Sequence, residues 1–70
     1  MTTTEMLQWL SMRFYVFMEF SPAQDSVVDV YNITKYGEVR QDTRRTFIGA
    51  DLEDALKKAY LYESTELAKQ

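Results

Sequence analysis

The side chains able to do chemistry in this 70-residue chain are carboxylates, arginines and tyrosines, because it has no histidine and no cysteine. Without imidazole or thiolate, the common zinc, copper and non-haem iron donor sets are missing, and so are the commonest bases and nucleophiles. Paired carboxylates can do acid–base work. Here Asp51, Glu53 and Asp54 cluster directly before an apolar stripe at helical spacing, where N-capping and the helix dipole account for acids. Asp25 and Asp29 have no partner that spacing identifies. Two glycines, Gly37 and Gly49, make no phosphate-cradling loop. The expectation is no catalytic residue, no metal and no cofactor, hence no enzyme.

Binding chemistry is better represented. Arg40, Arg44 and Arg45 lie close together in the chain. On a strand, alternation puts Arg40 and Arg44 on one face and Arg45 on the other. Sheet aromatics with neighbouring arginines can stack bases and contact phosphate. That is the alternative reading, a nucleic-acid-binding regulator using Arg40, Arg44 and Arg45. Acids interleave with them at Glu38, Asp42 and Asp51, no RNP-like motif is present, and the formal charge is −3; this balance disfavours nucleic acid and anionic lipid. Pairing with an acidic patch on a protein suits the arginines better. Aromatics and arginine are enriched at protein–protein hot spots. The partner-binding candidates are therefore Trp9, Tyr15, Phe17, Tyr36, Arg40, Arg44, Arg45, Leu61 and Tyr62. Leu61 and Tyr62 form a second expected patch, since Leu61 points away from the helical stripe.

The size predicts one domain, residues 1–70, near the lower limit for folding without disulfides or metal. Apolar residues are 46% of the chain, enough for a small core. They concentrate in MLQWLSMRFYVFMEF, residues 6–20, whose longest unbroken apolar run is Phe14 to Met18, five residues. A spanning helix needs about 20. The Met1-Thr2-Thr3-Thr4-Glu5 start has no positive n-region of a signal peptide. The expectation is a complete, unprocessed, soluble chain in the cytoplasm, with no membrane role.

The elements that would position these residues follow from pattern. Thr2 and Glu5 have capping-box spacing, predicting a short helix from Thr3 to about Leu10 with Met6, Trp9 and Leu10 on one side. Met12 to Phe20 reads as a strand, with Met12, Phe14, Val16, Met18 and Phe20 on one face and Arg13, Tyr15, Phe17 and Glu19 on the other. A Ser-Pro turn follows. Ser26 to Thr34 is a second strand, carrying Val28, Val30 and Asn32 on one face and Val27, Asp29, Tyr31 and Ile33 on the other. A turn at 35–38, with Gly37 free for positive φ, leads to a polar third strand, Glu38 to Ile48. Asp51 then caps a helix whose stripe is Leu52, Ala55, Leu56, Ala59 and Tyr60, with Glu53–Lys57 and Asp54–Lys58 as i,i+4 pairs. Glu63 falls on the stripe and weakens it. The fold class is α+β: a small three-stranded antiparallel sheet, a C-terminal amphipathic helix and a short N-terminal helix.

The first strand is apolar on both faces and, in a simple meander, lies at a sheet edge. Three occupants could cover it: the N-terminal helix folded over the second face, a second copy paired edge to edge as a homodimer, or a different protein. Three strands followed by GADLEDALKKA, residues 49–59, resembles the strand-strand-strand-helix order of HicB-type antitoxin domains, whose helix opens with a Gly-x-Thr-x-Glu-Glu-Ala pattern. Asp51 stands where that pattern has Thr, and no site residue is carried over. In size, acidity and lack of catalytic motif the chain is also similar to small phage accessory proteins such as anti-CRISPR and host-takeover inhibitors. The functional expectation is a non-enzymatic protein-binding module, an inhibitor or regulator from a phage or mobile element that blocks a surface of a larger protein in the host cytoplasm.

Overall fold

The computed structural model describes residues 1–21 and 24–69. Pro22 and Ala23, the centre of the expected Ser-Pro turn, lie outside them, as does the side-chain direction of Phe20. The elements run α1 (Thr3–Ser11), β1 (Tyr15–Ser21), β2 (Gln24–Ile33), β3 (Val39–Gly49) and α2 (Leu52–Ala68), an α+β fold.

The local chemistry of Thr2 and Glu5 starts α1. The Thr2 N–H donates to Glu5 Oε1 at 2.9 Å, and the Glu5 N–H donates to Thr2 Oγ1 at 3.2 Å. The helix outlasts the expected boundary, and its end takes residues from the strand expected to begin at Met12. Met12 is the C-cap, and the Leu10 carbonyl accepts from both Arg13 N–H and Phe14 N–H, at 3.1 and 2.8 Å. That turn delays β1 to Tyr15, so Met12 and Arg13 lie on no strand face. At the other end, Asp51 Oδ1 accepts from the Asp54 N–H at 2.8 Å. Gly49 lies so close to α2 that a Cβ there would overlap the Ala55 backbone nitrogen. Gly37, at φ +85°, turns β2 into β3, while Thr34 Oγ1 accepts from the N–H groups of Tyr36 and Glu38.

The sheet is antiparallel in the order β1-β2-β3. Phe17 faces Asp29, which faces Thr46; Met18 faces Val28, which faces Phe47. Even positions of β1 and β2 supply the core. Val28 and Val30 are buried with Leu10, Ala55, Leu56 and Ala59, and Phe14, Val16, Phe47, Leu52 and Tyr60 pack around them. Both helices therefore lie on one face. Of the three coverings that the sequence left open for β1, the fold-back of the N-terminal helix over the second face does not occur. Three strands at about 4.8 Å spacing are wider than one helix of about 10 Å. With α2 over β2 and β3, the inner side of β1 needs a second helix, and α1 fills that place through Met6 and Leu10. Among the described residues no helix is long and apolar enough to cross a membrane.

Two predictions follow from these contacts. Leu56 is 1% exposed at the centre of the core, so Leu56→Ala should cost about 2–5 kcal/mol; a urea midpoint equal to wild type would place α2 the other way round. The Glu5 carboxyl is held below its ordinary range, chiefly by the Thr2 N–H. The Ala50 N–H, and then Lys58, do the same for Asp54. A depressed native pKa stabilises above the unfolded value and loses that effect as pH falls through the native one. In a carbon-detected NMR titration each carboxyl should protonate at lower pH than the same residue in the unfolded chain, and Glu5→Gln and Asp54→Asn should flatten the acid limb of stability.

Candidate functional site

Between Val30↔Arg45 and Asn32↔Arg40, a single β2 residue, Tyr31, spans four of β3, residues 41–44. This bulge is closed by Thr43, whose hydroxyl accepts from the Asn32 N–H at 2.8 Å and donates to the Arg40 carbonyl at 2.6 Å. The bulge sets where the three arginines of β3 go. By register Arg40 lies beside Asn32, on the side of Val28 and Val30, while Arg44 alternates with Thr46 and Ile48 on the other. The expected shared face of Arg40 and Arg44 is therefore lost, because the extra residues break the period of two. Arg40 pairs with Asp42 at 3.1 Å.

Arg45 is committed inside the molecule. Its Nε and Nη2 donate to the two carboxylate oxygens of Glu63, each at 2.9 Å. Nη1 donates to Asn32 Oδ1 at 2.9 Å and to the Thr43 carbonyl at 2.6 Å. The guanidinium also lies 5.4 Å from the centroid of the Phe14 ring. Glu63, the residue that weakened the stripe in the sequence, is only 4% exposed. A carboxylate on an otherwise apolar stripe was the available signal for a buried partner; Asn32 and Thr43 carried no such signal. Beside this pair is an open cleft of about 420 Å³ lined by Arg13, Phe14, Asn32, Tyr62, Glu66 and Leu67.

The aromatic candidates divide in the same way. Trp9 packs edge-on against Tyr60 at 5.2 Å and beside Phe14 at 6.5 Å. Arg13 lies over its ring at 4.3 Å. Tyr62 rests against Phe47 at 5.6 Å, so it borders the cleft, while Leu61 is exposed on α2. Tyr36 stands exposed at the β2–β3 turn. Tyr15 and Phe17 lie on the sheet face opposite the helices, 45% and 46% exposed, with Ile48 at 53% across the same face. Tyr31 lies between the edges of this face and contacts the Tyr15 ring at 5.8 Å. Asp29 accepts from the Thr46 hydroxyl at 2.7 Å. The structure thus brings Tyr15, Phe17, Ile48 and, by alternation, Arg44 to one surface, and leaves Trp9, Arg45, Tyr36 and Leu61 elsewhere.

The chain matches no family model, no curated protein and no solved structure. The likeness of residues 49–59 to an antitoxin helix start is covered by local causes: the Asp51 cap and the close approach at Gly49.

The ion pair yields a prediction. Removing one partner strands the other charge in a place largely shut off from water. Arg45→Met or Glu63→Leu should each cost about 2–4 kcal/mol, with partial exposure of the arginine keeping the figure below that of a fully buried pair. The double variant should be more stable than either single one in urea denaturation. Singles that unfold at the wild-type midpoint would show that the pair holds nothing together.

Proposed function

We propose that this protein is a non-enzymatic binding module whose contact strand is β1. It acts by occupying a surface of a larger protein, as an inhibitor or regulator. The observation that carries this reading is the uncovered aromatic face of an edge strand: Tyr15 and Phe17 stay half exposed because both helices serve the opposite face. Tyr15 and Phe17 stand side by side on β1 with Tyr31 against Tyr15, Ile48 lies diagonally across the same face, and the polar groups Glu19, Asp29, Thr46 and Arg44 stand among and around them. A patch of a few hundred Å² with a polar rim is the usual anatomy of a protein contact. Aromatic side chains at its centre are suited to be hot spots. A second copy of the chain is the other occupant that β1 could take.

The nucleic-acid reading draws no support from the arginines as placed. Arg45 is spent on Glu63, Arg40 on Asp42, and Arg44 is on the other side of the sheet from Arg40. The comparison with small phage inhibitors rests on character alone, and the cytoplasmic setting belongs to the same proposal.

The test is direct. Tyr15→Lys with Phe17→Lys should keep the wild-type circular dichroism spectrum and melting temperature, since neither ring is in the core. The variant should lose a larger protein captured from cell lysate by the tagged wild type. Capture that survives both lysines would remove this face from the interface. Retention on a nucleic-acid column falling steeply with salt would favour the other reading.

A further inference from the structure

The two edges of the sheet are built in opposite ways. The β3 edge carries the devices that prevent strand addition: a bulge at 41–44, charges at Arg40, Asp42 and Arg44, and a polar surface. β1, the other edge, has none through its regular part. Tyr15–Glu19 pairs with β2 residue for residue, and contains no lysine, arginine, proline or glycine and one charge, Glu19. Among the described residues no strand pairs with its outer backbone edge, because β1 ends the order β1-β2-β3. An unguarded edge beside a guarded one marks the place where another strand is meant to pair.

We infer that this strand is a second copy of β1, running antiparallel about a two-fold axis normal to the sheet. The inference deepens the reading of β1 as a contact strand and leaves the open face for the larger partner. The argument is self-complementarity. Arg13, exposed although its guanidinium lies over the Trp9 ring and donates to the Trp9 carbonyl at 3.1 Å, stands just before the strand, and Glu19 stands near its end. Antiparallel pairing brings the cationic end of each copy to the anionic end of the other, at both ends of the interface. Side-chain alternation requires that opposed residues share a parity, so that open face continues into open face. One register pairs all five regular residues, with Phe17 on the axis. Phe17 then faces Phe17 of the second copy, Val16 faces Met18, and Tyr15 faces Glu19. Glu19 never faces itself, so the one charge in the strand opposes no like charge. Two three-stranded sheets become one of six, with all helices on one side and the Tyr15–Phe17 patch doubled on the other.

A short edge-to-edge contact buries less than a standard interface, so the dimer is weak, with a Kd on the order of 100 µM. Sedimentation equilibrium from about 10 µM to about 1 mM spans that range. Wild type should pass from monomer to dimer. Phe17→Lys opposes lysine to lysine at the axis and should weaken association by about tenfold or more. Phe17→Glu should do the same. Mixed one to one, the two variants should restore a dimer, because residue 17 meets its own counterpart in this register alone. Far-UV circular dichroism checks that each variant is folded, and the mixture controls for any that is merely weakened. A wild type that stays monomeric at the highest concentration, a Phe17→Lys variant that associates like wild type, or a mixture no more associated than its components would each overturn the inference. The two readings fail separately. A Phe17→Lys monomer that still captures the larger protein keeps the dimer and sinks the face reading for Phe17. A wild-type monomer whose capture is lost with the double lysine sinks the dimer alone.

Discussion

The Arg45 guanidinium is the interaction on which the rest of this structure depends. Four of its hydrogen bonds go to fixed acceptors on three elements: both oxygens of Glu63 on α2, the Asn32 amide oxygen on β2 and the Thr43 carbonyl in the β3 bulge. A planar, five-donor fork is suited to such a junction, and an ammonium is not. The buried Glu63 carboxylate would be costly on a helix stripe without it. The pair holds the C-terminal half of α2 down over Phe47 and Phe14, past the point where the apolar stripe ends at Tyr60. It also anchors the bulge, since the same guanidinium takes the carbonyl of the residue that closes it. Helix length, bulge and cleft therefore share one support.

The second constraint is width. A sheet of three strands has more inner surface than α2 alone can cover, and the chain's other helix is drawn to the remainder. Leu10 joins the Val28, Val30 and Leu56 cluster, and Trp9 closes against Tyr60. With both helices committed to one side, nothing in the described chain is left for Tyr15, Phe17 and Ile48. The uncovered face is thus a consequence of core economy in a small protein rather than of any local feature of β1. The proposed contact surface rests on this asymmetry, and on the contrast between a bulged, charged β3 edge and a plain β1 edge.

Much of this was legible in the sequence because the signals were local. The capping box at Thr2 and Glu5, the Asp51 cap, the Gly37 turn, the alternation of Val28 and Val30, and the Leu52 to Tyr60 stripe each act within a few residues, and each appears where the spacing placed it. Placing Tyr15 and Phe17 opposite Val16 needed only the period of two. What the tertiary structure decided was everything that required two distant segments to meet. Whether Glu63 ends a stripe or buries a charge depends on Arg45, 18 residues away. Which arginines share a face depends on extra residues in β3 whose hydrogen bonds run to β2. Which side α1 covers depends on how much of the sheet α2 leaves bare. Local hydrogen bonds and periodicity are written in neighbouring residues; burial, pairing and the choice of face are settled by competition for one small core.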